Sequence, residues 1–158
     1  MFSSFIANSP TLSLAPAAGS FQFQTKYIYF SDNAPVILGL EGTDSATRHA
    51  ERASPSNGWF SPKYVEAGGS IQTIAPLSLS LLHAEIWSEN GRIYIRDLDS
   101  PFGTYVNDAR VNGNPVTLKK GDTISLGHPI ARNSNTPSYI TDDHLKPIIA
   151  RISLSGTS

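Results

Sequence analysis

Apolar and polar residues alternate with a period of two along most of this chain, in short runs closed by Gly, Pro, Asn or Asp. That period predicts strands rather than helices. The clearest case is Ala84-Glu-Ile-Trp87 followed by Arg92-Ile-Tyr-Ile-Arg96. Between them Asn90-Gly91 stands where a tight reversal needs positive φ. Thr104–Val106, Val116–Leu118 and Thr123–Leu126 are three further strands separated by breaker-rich turns. Upstream, Thr11–Ala15, Lys26–Phe30 and Val36–Leu40 read the same way, and Ile148–Leu154 is the last run. Many short strands joined by tight turns predict an all-β fold, a sandwich of two antiparallel sheets.

The stretch from Glu41 to Pro76 breaks this rhythm. Residues 41–53 have some helical character with only alanines on the apolar side, which predicts at most a short surface helix. Residues 54–76 are rich in Gly, Pro and Ser, so 41–76 reads as a long loop or insertion, functional or partly unstructured. Residues 1–9 read as a flexible leader, 10–155 as one domain and 156–158 as a tail.

Composition narrows the function classes. A formal charge of -1 and 39% hydrophobic residues offer no basic excess for nucleic acid or an anionic membrane. No run is long enough for a membrane-spanning helix. The absence of cysteine excludes disulfides, thiol catalysis and cysteine-held zinc, and suits a cytoplasmic or nuclear setting. Asp142-Asp143-His144 with His49 or His128 lacks metal-ligand spacing, so neither a metal nor a cofactor is expected. Ser80, His83 and Asp97 lack the sequence context of a nucleophile elbow, which leaves a β-sandwich hydrolase as a minor alternative and no catalytic residue to name.

Several motifs occur in a fixed order: Gly39-Leu40, Ser80-Leu-Leu-His83, Asp97-Leu-Asp-Ser-Pro-Phe-Gly-Thr-Tyr-Val-Asn107, Leu118-Lys-Lys-Gly-Asp122 and Gly127. Together they resemble the forkhead-associated (FHA) domain, a family of phosphothreonine-peptide-binding β-sandwiches. The segment Ser56–Lys63 resembles one branch of that family, the sarcolemma-associated protein and its fungal counterparts in striatin–phosphatase assemblies. In that branch the segment runs almost directly into the Ser-x-x-His motif, so Tyr64–Pro76 looks like an insertion here.

The resemblance implies a binding end made by Leu40, Ser80, Leu81, Pro101 and Phe102, and a scaffold set of Gly39, His83, Asp97, Ser100, Gly103 and Asn107. In the family an arginine follows the glycine of the third strand, and an asparagine precedes the glycine of the later loop. Here those positions hold Leu40 and Phe102, and Ser78 stands where a basic residue is frequent. Ser80 alone keeps a phosphate-contacting type. Leucine donates no hydrogen bond and desolvates an anion, so phosphothreonine recognition is expected to be weakened or lost. The expected partner is a protein or phosphoprotein peptide, with oligomeric state open. One alternative keeps phosphopeptide binding by borrowing Arg48, Arg52 or Lys63 from the long loop, or Lys119 and Lys120. Another lets Leu40, Leu81, Pro101 and Phe102 converge into an apolar patch, for an unphosphorylated partner or a plug by Trp59 and Phe60.

Overall fold

A computed structural model describes residues 10–31, 34–44 and 49–156. The 1–9 leader and the last two residues of the tail lie outside the described residues. Strands β1 (Thr11–Pro16), β2 (Lys26–Tyr29) and β3 (Val36–Leu40) are followed by two short strands, β4 (Gly42–Asp44) and β5 (His49–Glu51). Next come β6 (Trp59–Phe60), β7 (Lys63–Ala67), β8 (Ser70–Ile74), β9 (Ala84–Glu89) and β10 (Arg92–Asp97). The chain continues through β11 (Thr104–Val106), β12 (Ala109–Val111), β13 (Val116–Leu118), β14 (Thr123–Leu126) and β15 (Ile148–Ser155). A single 3-10 turn, Asp142–Leu145, precedes β15.

Two sheets form the sandwich, one ordered β12-β11-β14-β15-β1-β2 and the other β13-β10-β9-β3-β6. Period-two alternation puts one side of each strand into the core. Leu12, Leu14, Ile28, Ile124, Leu126, Ile148, Ala150 and Ile152 come from the first sheet, and Leu38, Ala84, Ile86, Ile93, Ile95 and Leu118 from the second. Register keeps them in facing rows, with Leu12 opposite Ile28, Leu14 opposite Ile152 and Ile95 opposite Ile86. Burying each such side chain is worth about 1.5–3 kcal/mol, and a one-residue slip would turn a whole row to water.

Two expectations need correction. The short helix of 41–53 is absent among the described residues, where β4 and β5 pair antiparallel instead. An alanine-only stripe buries too little to hold a helix. The Glu41 carboxylate takes the Ala53 N–H at 2.8 Å and draws the ends of the excursion together. The presumed loop from Tyr64 is largely a hairpin, β7–β8, reversing at Gly68 and Gly69 with φ of 60° and 81°. The expected sandwich of two antiparallel sheets is present, and at the edge of the second β6 joins β3 in parallel, Gly39 opposite Trp59 and Leu40 opposite Phe60.

β2 carries a charge inward. Lys26 is 3% exposed, and its Nζ donates to the Ser54 carbonyl at 2.9 Å and the Trp59 carbonyl at 2.6 Å. It also lies 4.9 Å from the Phe60 ring centroid. Burial lowers its pKa from 10.5 to about 8, against a smaller raising effect of Glu41. This amine ties the 54–60 segment, and so β6, to the opposite sheet.

Candidate functional site

The motifs meet at one end of the sandwich. Ser78 and Leu79 are buried, and the chain then bends over the end of β3. The Leu40 N–H donates to the Ser80 carbonyl at 3.0 Å and the His83 N–H to the Leu38 carbonyl at 2.9 Å. The Leu81 backbone therefore crosses Gly39 so closely that a Cβ there would lie 1.9 Å from the Leu81 carbonyl oxygen. Only glycine admits that crossing. The crossing sends the Leu81 and Leu82 side chains outward, 56% and 58% exposed.

His83 is fully buried and joins two loops. Its Nδ1 accepts the Ser80 N–H at 3.1 Å, so the proton sits on Nε2, which donates to the Gly103 carbonyl at 2.8 Å. Burial lowers the His83 pKa, with smaller opposing effects from the Gly103 carbonyl and Asp97. The imidazole is thus held neutral. The Leu98 N–H returns to the His83 carbonyl at 3.0 Å.

The second loop is built on Asp97. Its carboxylate accepts the Ser100 N–H at 3.0 Å, the Ser100 hydroxyl at 2.5 Å and the Thr104 hydroxyl at 2.7 Å. The Ser100 Oγ accepts the Gly103 N–H at 3.0 Å. Asp99 and Gly103 take positive φ of 59° and 84° to close the turn. Asn107 works one hairpin further on, donating to Asp122 at 2.8 Å and accepting the Thr123 N–H at 2.9 Å.

Ser80, His83, Asp97, Ser100 and Gly103 therefore form one hydrogen-bonded unit. Among the described residues the Ser80 hydroxyl makes no hydrogen bond, which leaves it open to a ligand. Leu40 packs on the core and Leu81 lies against Gly42, its Cδ2 3.1 Å from where a Cβ of that glycine would sit. Pro101 is exposed, and the half-buried Phe102 meets His128 edge-on at 5.4 Å. The leucines and the Pro101–Phe102 pair thus rest on separate neighbours. Phe60 does not plug this end, because it is a core residue packed on Phe23 at 5.1 Å. Trp59 lines a groove of about 400 Å³ with Phe21, Phe23, Pro55 and Pro62.

Three of the proposed borrowed cations lie elsewhere, and Arg52 is exposed beside Tyr64, whose hydroxyl donates to the Glu41 carboxylate. Lys63 pairs with Asp143 at 3.0 Å, and this contact holds the Asp143 carboxyl below its usual range. Lys119 and Lys120 follow β13, whose Leu118 stands opposite Ile93 near the far end of β10. Arg48 lies outside the described residues. Ser78 cannot face a ligand, being 1% exposed with its hydroxyl against Gly127. Among the described residues no group of three or more His, Cys, Asp or Glu side chains converges, and no helix is long and apolar enough to cross a membrane.

Sequence reasoning passed over Tyr105 and Arg110, and considered His128 only as a metal ligand. Tyr105 and Arg110 are opposite each other in the β11–β12 hairpin, whose turn residues Asn107 and Asp108 have φ of 49° and 68°. An Asn-Asp pair between Val106 and Ala109 was the available signal.

Residues 70–127 match the family model described as FHA domain. The chain is 29% identical over 125 residues to vacuolar protein sorting-associated protein 64 of Saccharomyces cerevisiae, covering 75% of this chain and 19% of that protein. It is 27% identical over 124 residues to dma1 of Schizosaccharomyces pombe, described as a probable E3 ubiquitin-protein ligase, covering 72% of this chain and 39% of that protein. The chain thus spans well under half the length of these relatives. Among solved structures, full-length yeast Pml1p superposes with a TM-score of 0.51 at 16% identity, covering 93% of this chain and 82% of that one, a likeness of fold.

Proposed function

We propose that this chain, which carries an FHA domain, acts as a non-enzymatic protein-interaction module that takes a partner peptide at the Ser80 end. FHA domains are phosphopeptide-binding interaction modules; here phosphothreonine recognition is weakened or lost. The observation that carries this reading is the surface around the Ser80 hydroxyl. Leu40 stands where the family has its arginine, its backbone N–H is already given to the Ser80 carbonyl, and Leu81 projects 56% exposed beside it. A phosphate dianion set there would gain one hydroxyl donor and, at position 40, no cation, too little to offset its dehydration. Exposed Leu77, Leu81 and Leu82 favour instead the apolar side chains of a partner.

The module is taken to span residues 10–155, with the compartment cytoplasmic or nuclear. Within the family we place it beside the sarcolemma-associated protein and its fungal counterparts. The segment that resembles that branch, Ser56–Lys63, contributes β6 to the edge of the second sheet.

The test is calorimetric titration with a degenerate phosphothreonine peptide pool and its unphosphorylated twin. The two pools should differ by less than about tenfold in affinity. Micromolar binding that requires phosphate and disappears in Ser80→Ala would overturn the weakened site.

A further inference from the structure

Taking up a peptide at the Ser80 end leaves one well-placed cation unused, Arg110. It sits on β12 opposite Tyr105, and directly opposed residues of an antiparallel pair share a face. Its guanidinium turns back to the loop end, where Nε lies 2.9 Å and one terminal nitrogen 3.3 Å from the position of a Cβ on Gly103. That space exists because residue 103 is glycine. Among the described residues no acid pairs with Arg110, so the donors of its planar fork face solvent.

On the other side of β11, the exposed His128 stacks edge-on against Phe102 at 5.4 Å and Tyr105 at 6.5 Å. Its Nδ1 donates to the Pro129 carbonyl at 3.0 Å, which holds the ring in place. Four side chains thus form a ring of neighbours beside Gly103, with the Arg110 guanidinium at the glycine, Tyr105 opposite it, and Tyr105 and Phe102 joined through His128.

We propose that this ring is an anion subsite of the same binding end, taking a carboxylate or phosphate group of the partner peptide. The inference rests on the reading that a peptide lies at Ser80. A guanidinium fork matches the paired oxygens of either acid. Phe102 and Tyr105 shelter the hydrocarbon part of the anionic side chain and reduce screening of the contact. The subsite is one imidazole from Ser80, since His83 bonds the Ser80 N–H through one ring nitrogen and the Gly103 carbonyl through the other. The nearby acids do not fill it. Both Asp97 oxygens are taken by the Ser100 and Thr104 groups, and neither Asp99 nor Asp108 pairs with Arg110.

The experiment uses the full chain labelled with ¹⁵N, titrated separately with inorganic phosphate and with N-acetylglutamate methylamide. The Gly103 amide and the Arg110 Nε–H should move saturably with at least one probe, and the effect should shrink as sodium chloride is raised. Movement with phosphate alone or with the carboxylate alone supports the subsite and identifies its acid. Arg110→Gln should abolish the Gly103 shift, whereas Ser80→Ala should leave it in place. A Gly103 signal that stays still with both probes, or moves equally in Arg110→Gln, overturns the proposal. Peptide binding at the other reading's residues reports at the Ser80 and Leu81 amides, so the two readings can fail separately.

Discussion

The inward lysine of β2 makes a prediction that can be worked through from the structure. In the unfolded chain the Lys26 amine titrates near its ordinary value of 10.5, and in the native protein near 8. Between those values the unfolded state holds a proton that the native state has released. Stability must therefore rise with pH across this window. Below about pH 8 both states are protonated, and the native fold carries the full cost of the buried charge. Integrating the two titrations gives a gain of about 2 kcal/mol between pH 7 and pH 9.5 from this group alone. Lys26→Met keeps much of the volume and removes the titration. The assay is urea unfolding of both proteins at pH 7.0 and 9.5, followed by tryptophan fluorescence. The wild type should gain about 2 kcal/mol relative to the variant over that interval. Tyr64, whose pKa is raised chiefly by its hydrogen bond to Glu41, is present in both proteins and cancels in the difference. Parallel pH dependences would refute the reasoning, because they would mean that the ammonium is hydrated rather than enclosed by the Ser54 and Trp59 carbonyls and the Phe60 ring.

Two further predictions concern the binding end. Leu40→Arg restores a forked cation next to the Ser80 hydroxyl and should tighten binding of a phosphothreonine pool by about tenfold, the scale of one charge-assisted contact; an unchanged calorimetric isotherm would count against the account of Leu40. His83→Ala leaves the Ser80 N–H and the Gly103 carbonyl without their ring partner and should cost about 2–4 kcal/mol, with the Ser80 and Leu98 amides exchanging faster. Because the native His83 pKa is lowered, the unfolded chain protonates first as pH falls through about 6.5, so acid destabilisation of the wild type should be reduced in this variant.

Much of the fold was legible without coordinates because period-two alternation and turn chemistry are local. Val36–Leu40, Thr104–Val106, Val116–Leu118 and Thr123–Leu126 have in the structure the bounds that their pattern implies. The β7–β8 hairpin was legible too, but the glycines at 68 and 69 were read as loop composition rather than as the reversal between two alternating runs. Leu40, Leu81 and Phe102 were visible as residue types, and the resemblance to the FHA family implied that they share one end.

What the sequence by itself determined is therefore the all-β class, most strand positions and the residue chemistry available at the binding end. Side-chain type and local φ preference act within a few residues, and those are written in the chain. Only the tertiary structure decided which neighbours these residues meet. It placed Leu81 over Gly39, turned Lys26 onto carbonyls 28 and 33 residues away, buried Phe60 in the core and bent the Arg110 guanidinium onto Gly103. Each of those contacts depends on sheet register and loop closure between distant segments. Burial of the whole core sets that register, and no local pattern carries it.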